Sequence, residues 1–343
     1  MDTFPIRRVD HIRHYVNNAR QSAYYYQHVF GFSITGFDGL ETGQKHEVDY
    51  FLEQNDIRLI FSAPVRPGHP FQSLISQHGD FVQDIAFEVD DVDWSYKTAT
   101  SRGAESAYEP KTLEDDFGKV RVAGIKTYGD VIHTLVNRDG YKGHYFPGFR
   151  KENQPGDDIG ILEIDHCVGN VELGKMNHWV KWYEDVLGFT NILTFDDKDI
   201  STDYTALMSK VMSSGNGRVK FPINEPAGGL KKSQIDEYLE FHGGPGVQHV
   251  ALRTDDIVHT VTRLKNRGLD FLKVPKTYYE MLPSRVGQIE ENIDELAELG
   301  ILVDRDDEGY MLQIFTKPVQ DRPTLFFEII ERQGSKSFGK GNF

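Results

Sequence analysis

The chain repeats itself, and that repetition limits what it can fold into more than any single motif does. Val9-Asp10-His11 answers to Ile164-Asp165-His166, and Tyr26 through Phe32 (YQHVFGF) answers to Tyr183 through Phe189 (YEDVLGF). Val82-Gln83-Asp84-Ile85-Ala86-Phe87 answers to Val247-Gln248-His249-Val250-Ala251-Leu252, and an Asp-Asp pair follows each. Arg102-Gly103 precedes Pro110-Lys111-Thr112 as Arg267-Gly268 precedes Pro275-Lys276-Thr277. Val131 through Arg138 (VIHTLVNR) matches Leu325 through Arg332 (LFFEIIER). Matches in the same order along both halves read as two diverged copies of one module. A length of 343 residues agrees, since it exceeds what one core usually serves. The expected domains are residues 1–150 and 151–343, with 139–158, rich in Gly, Pro and charge, as the linker. Tyr145, Phe146 and Phe149 in that linker are expected to pack back onto a domain.

Each copy reads as β-α-β-β-β. In the first, strands are expected near 8–16, 32–38, 47–54, 57–64, 81–89, 118–125 and 131–137, with helices over Ala19–Phe30 and Val92–Ser101. In the second, strands fall near 160–168, 189–196, 203–211, 217–223, 247–253, 310–316 and 324–331. Helices there are expected over Lys175–Leu187, Ser233–Phe241 and Ile257–Asn266, and over Val286–Leu299 within an insertion running from about Tyr278 to Asp307. The tail GSKSFGKGNF reads as small, basic and mobile apart from Phe338 and Phe343. This order resembles the module of the vicinal oxygen chelate superfamily. The resemblance implies an α+β fold of two tandem domains, each a paired βαβββ module forming a curved half-open barrel sheet with helices outside.

A net charge of −15, from 38 basic against 53 acidic residues, argues against nucleic-acid and anionic membrane partners. The single cysteine, Cys167, excludes an intrachain disulfide and fits a reducing compartment. With no apolar signal core near the N-terminus and no long apolar run, a cytoplasmic protein is expected.

The repeat also tests each polar residue inside a strand. His166 matches His11, His249 matches Asp84, and Glu328 matches Thr134, so the full set of His, His and carboxylate occurs in the second copy alone. A carboxylate between Phe327 and Ile329 is expensive to bury unless a cation or donor meets it. Two imidazoles and a carboxylate on three strands of one curved sheet could converge on a metal. That set, with open positions, serves non-haem Fe(II) oxygenases, and the same donors can hold zinc. The alternative is three separately satisfied buried polar groups. The first copy is expected to bind no metal and to serve structure and dimerisation. Cys167 and Glu331 should face away from the ligand side of their strands.

Longer stretches are similar to the 4-hydroxyphenylpyruvate dioxygenase family: Asn224-Glu225-Pro226, Lys232-Ser233-Gln234-Ile235, Gly246-Val247-Gln248-His249, Leu312 through Pro318, Asp321-Arg322-Pro323-Thr324 and Phe338 through Phe343. The resemblance implies His166, His249 and Glu328 as iron ligands, and Fe(II) as cofactor. It implies Gln234, Gln248 and Gln313 as catalytic amides, and Ser209, Asn224, Phe315, Phe326 and Phe343 as substrate contacts. The implied reaction takes 4-hydroxyphenylpyruvate and O2 to homogentisate and CO2 in tyrosine degradation, the substrate supplying its own 2-oxo acid. Hydroxymandelate synthesis at the same iron site, a glyoxalase-like metal isomerase and a ligand-sequestering protein are the other readings. A homodimer or homotetramer is the implied assembly. In that family a helix beginning near Gly-Asn-Phe continues onward over the site, whereas this sequence stops at Phe343.

Overall fold

The computed structural model describes residues 4–195, 201–202, 205–226, 232–339 and 342. The first half runs β1 (Ile6–Tyr15), α1 (Ala19–His28), β2 (Ser33–Asp38), β3 (Glu47–Gln54), β4 (Ile57–Pro64), α2 (Pro70–His78), β5 (Phe81–Val89), α3 (Val92–Ser101), β6 (Ser106–Asp115), β7 (Gly118–Lys126), β8 (Ile132–Asn137) and β9 (Arg150–Gln154). The second half runs β10 (Ile161–Asn170), α4 (Met176–Leu187), β11 (Thr190–Phe195), β12 (Ser201–Thr202), β13 (Thr205–Ser213), β14 (Lys220–Pro226), α5 (Gln234–His242) and β15 (Gly246–Thr254). It ends with α6 (Ile257–Asn266), α7 (Lys276–Val286), α8 (Ile293–Leu299), β16 (Leu302–Arg305), β17 (Tyr310–Phe315) and β18 (Phe326–Gln333).

The strands form two sheets, in the orders β6-β7-β8-β5-β1-β4-β3-β2-β9 and β11-β13-β14-β10-β15-β18-β17-β16, with β12 paired to β13. Each sheet is two βαβββ units joined back to back through an antiparallel pair, β1 with β5 and β10 with β15. The repeated motifs explain their own positions. The Asp-Asp pairs supply helix N-caps, Asp91 accepting from Trp94 N at 3.0 Å and Asp256 from His259 N at 2.9 Å. The repeated Arg-Gly ends the same helices, with Gly103 at φ +104° and Gly268 at φ +88°.

Several expectations need correction. The supposed linker contains β9, which pairs with β2, so the division after residue 150 falls inside that strand. Tyr145 and Phe146 do pack back, into an apolar cluster with Phe51, Val122 and Val136. The helix expected over Val286–Leu299 is present only as α8: α7 precedes it and ends at Val286, followed by Gly287 at φ +67°, and Asn292 caps α8 by accepting from Asp294 N. Strand β6 went unread in a polar, half-exposed stretch. Residues 335–339 of the tail are held against the second sheet, and Phe338 is buried.

The two halves share one apolar core. Tyr26 on α1 and Phe30, just beyond its end, meet Phe327, and Phe87 meets Phe221. Main-chain and side-chain bonds cross as well, from Asp56 N to Leu162 O at 2.9 Å and from Arg322 to Ser76 O at 3.0 Å. Among the described residues no helix is long and apolar enough to cross a membrane.

His133 on β8 sits in this junction. Its Nδ1 lies 2.8 Å from Ile85 O and its Nε2 lies 2.7 Å from the hydroxyl of Tyr183 on α4. Burial pushes its pKa down to about 4, although the bond to Ile85 works the other way. An unfolded histidine titrates near about 6.5. The folded pKa is depressed, so this stability is fully present above about 6.5 and is lost as pH falls toward 4. Urea midpoints are expected to decline across that window, and those of a His133→Gln chain to decline less. Parallel profiles for the two proteins would exclude His133 as the responsible group.

Candidate metal centre

Strands β10, β15 and β18 are neighbours in the second sheet, and each brings one polar side chain to a common face. Ala251 of β15 lies opposite both His166 and Glu328, while His249 lies opposite Val168 and Phe326. One Glu328 carboxylate oxygen, Oε2, stands 3.1 Å from His166 Nε2 and 3.3 Å from His249 Nε2. All three side chains are buried, and their ligand atoms lie within 4.8 Å of one another. The other oxygen, Oε1, is buried without a hydrogen-bond partner.

Two β-bulges aim these imidazoles. On β10 the register passes from Ile164/Leu252 to His166/Ala251, leaving Asp165 as an extra residue. The bulge turns Asp165 toward the side that His166 faces, and its carboxylate meets His166 Nδ1 at 2.7 Å. On β15 the extra residue is Gln248, whose Oε1 lies 3.2 Å from His249 Nδ1. With both Nδ1 atoms engaged on the outer side, both Nε2 atoms face Glu328. Arg332 completes the outer layer, with Nε at 2.7 Å and Nη2 at 2.8 Å from the two Asp165 oxygens.

Charge follows the same arrangement. Burial acts to raise Glu328, but the two imidazoles outweigh it and hold the carboxyl at about 2. His166 is likewise penalised by burial, yet Glu328 and Asp165 lift its pKa above the ordinary value. For His249 burial wins over Glu328, and its pKa is lowered. A divalent cation fits this donor set. His166, His249 and Glu328 would hold it through two aromatic nitrogens and a carboxylate, one of whose oxygens is buried without a partner.

Other expected residues sit around this centre in different ways. Phe326 stacks on His249 with centroids 4.8 Å apart, and Phe315 meets the same ring edge-on at 5.9 Å. Ser209 and Asn224 are buried directly opposite each other on β13 and β14. Gln313 is buried with its amide nitrogen unpartnered. Gln248 touches His249, one of the three candidate donors, rather than standing apart from it. Gln234 is exposed, against expectation. Ser233 caps α5 in a reciprocal box with Asp236, which sets the helix phase so that Ile235 and Tyr238 face inward and Gln234 outward. Phe343 lies outside the described residues. Cys167 packs into the core, and Glu331 faces away to accept from Ile257 N at 2.8 Å.

The sequence reading missed Asp165, Arg332 and Phe338. A signal for the first two was present, because Asp10 and Arg138 repeat them in a copy that lacks the ligand set. There the outer layer survives: Asp10 meets His11 Nδ1 at 2.7 Å and Arg138 Nη2 at 2.9 Å, with bulges at Asp10 and Gln83. The inner layer does not. Asp84 accepts from Thr134 N at 2.9 Å and Thr134 Oγ1 at 2.5 Å, while Tyr108 bonds Thr134 Oγ1 at 2.7 Å. The Tyr108 ring covers Gly124, where an added Cβ would come within 2.4 Å of it. By register Gly124 corresponds to Phe315, since each lies opposite the ligand-equivalent residue of the last strand.

The sequence model of the Glyoxalase/Bleomycin resistance protein/Dioxygenase superfamily matches residues 8–125 and 163–314. The chain is 44% identical to the 4-hydroxyphenylpyruvate dioxygenase of Yarrowia lipolytica, over 98% of this chain and 89% of that protein. It is also 44% identical to the same enzyme of Dictyostelium discoideum, over 97% of this chain and 94% of that one. Among solved structures, a triple mutant of 4-hydroxymandelate synthase from Streptomyces coelicolor superposes with a TM-score of 0.87 at 28% identity, covering 98% of this chain and 96% of the other. A Mn(II)-bound glyoxalase from Novosphingobium aromaticivorans shares the fold at a TM-score of 0.52 and 14% identity, over 95% of this chain and 82% of the other. This chain belongs to the 4-hydroxyphenylpyruvate dioxygenase family, within the glyoxalase and dioxygenase superfamily.

Proposed function

We infer that this chain oxidises 4-hydroxyphenylpyruvate with O2 to homogentisate and CO2 in tyrosine degradation, with Fe(II) held by His166, His249 and Glu328. The observation that carries this reading is the buried group of two imidazole Nε2 atoms around one carboxylate oxygen, in a chain so similar to named dioxygenases. When bound, Fe(II) would supply a redox-active Lewis acid at which a 2-oxo acid and O2 can both be held.

The protein's own part is orientation and exclusion of water. Asp165 and Gln248 hold the outer nitrogens of the two imidazoles, and Arg332 neutralises Asp165 in its buried place. Phe315 and Phe326 offer an aromatic wall beside His249, suited to offset packing of a phenyl ring. Ser209 and Asn224 provide neutral hydrogen-bonding groups for the phenol or the oxo acid, and the Gln313 amide retains an unused donor. Neutral groups there add no anion to compete with the substrate for the metal. The first copy is a structural domain that carries no metal. A cytoplasmic location suits its single buried free thiol, Cys167.

The direct test is O2 uptake by Fe(II)-loaded protein given 4-hydroxyphenylpyruvate, with the product identified by chromatography. Homogentisate is expected. Hydroxymandelate would instead place the chain's activity with the synthase, and zinc retention without O2 uptake would favour an isomerase. His249→Ala is expected to abolish metal binding and turnover in a chain that stays folded by circular dichroism; retained metal-dependent turnover would remove His249 from the ligand set. Asp165→Asn should weaken metal binding by about 10–100-fold while keeping the ligands in place, measurable by competition with a chelator. Asp84→Ala should leave metal stoichiometry unchanged, and a loss of bound metal would overturn the metal-free assignment of the first copy.

A further inference from the structure

The segment 335–339 crosses the metal face, and one carboxylate outside the site holds it there. Asp306 lies in the turn between β16 and β17. Its Oδ1 accepts from Glu308 N at 3.0 Å and Gly309 N at 2.9 Å, which closes the turn. Its Oδ2 accepts from Ser335 Oγ at 2.7 Å and from the main-chain nitrogens of Lys336 and Ser337, both at 2.8 Å. The two oxygens therefore have separate tasks, one for the hairpin and one for the crossing segment. Close approach reinforces the docking. An added Cβ at Gly309 would come within 2.0 Å of Gln333 O, and one at Gly334, at φ +86°, within 2.8 Å of Glu308 O.

What the segment delivers is specific. Arg332, already bonded to Asp165, donates through Nη1 to Ser337 O at 2.7 Å and Ser335 O at 3.2 Å. Phe338 lies edge-on to His166 with centroids 5.0 Å apart, beneath the Arg332 guanidinium at 5.2 Å. Gly339, at φ +77°, rests on Gln313, where an added Cβ would stand 2.1 Å from Nε2. Asp306 thus acts on the His166 imidazole and the Gln313 amide through this segment, touching neither itself.

We propose that Asp306 is a positioning residue: its carboxylate fastens the 335–339 segment so that Phe338 shields His166 and Gly339 seats Gln313. The assignment rests on the dioxygenase reading of the site. Charge-assisted bonds to consecutive main-chain nitrogens define a single path for the segment, which a neutral side chain cannot reproduce.

Asp306→Asn separates the two tasks, because its one carbonyl oxygen can keep the Glu308 and Gly309 bonds while its amide nitrogen faces the donors of the segment. Hydrogen exchange and steady-state kinetics are measured on Fe(II)-loaded wild-type, Asp306→Asn and Asp306→Ala chains. The amides of Lys336 and Ser337 are expected to exchange at least about tenfold faster in both variants. In Asp306→Asn, protection of β17 should be unchanged. Metal content should also stay at the wild-type level, while homogentisate formed per O2 consumed falls and KM for 4-hydroxyphenylpyruvate rises more than kcat falls. Unchanged exchange at Lys336 and Ser337 would overturn the assignment, as would faster exchange with wild-type coupling and KM. Failure of the wild-type chain itself to form homogentisate would sink the dioxygenase reading, with the exchange result still reporting whether Asp306 anchors the segment.

Discussion

The candidate metal face depends on the bulged antiparallel pair β10/β15. A regular strand alternates its side chains, so Asp165 and His166 would face opposite sides of the sheet, as would Gln248 and His249. One extra residue in each strand removes that opposition and lets a carboxylate and an amide support adjacent imidazoles. Once both Nδ1 atoms are engaged, both Nε2 atoms must look toward Glu328. The cost of burying that carboxylate is then met by its two neighbours. The remaining oxygen, Oε1, is buried without a partner, and a cation would satisfy it.

The first copy shows which part of this arrangement belongs to the fold and which to chemistry. It keeps the bulges, the Asp-His pair and the arginine, because these knit the central strands to the segment after the last strand of the unit. Tyr145 and Phe146 approach His11 edge-on, much as Phe338 approaches His166. What it lacks is the inner set. With threonine at the carboxylate position and aspartate at the second imidazole position, Asp84 and Thr134 satisfy each other, and apolar side chains fill the rest of the face.

Much of this was legible in the sequence. The repeat placed His166, His249 and Glu328 on neighbouring strands, and the register bears out the correspondence with His11, Asp84 and Thr134. Alternation correctly turned Cys167 and Glu331 away. It does not account for Gln248, which bulging brings beside His249, and Gln234, implied by the resemblance as a catalytic amide, is turned outward by a capping box. The helix proposed over Val286–Leu299 failed for a local reason, since Gly287 adopts a left-handed conformation that periodicity ignores. The tail read as mobile because its composition is small and polar, yet those same serines and main-chain nitrogens are what Asp306 binds.

The sequence by itself determined the duplicated architecture, the α+β class and the identity of the three convergent donors, because repetition compares like positions without needing coordinates. Only the tertiary structure decided how those donors are aimed, which residues stand behind them and what crosses in front. Bulges alter facing without altering residue order, and Asp306 meets Ser337 across a fold that brings distant stretches of chain together. Neither effect leaves a periodic trace.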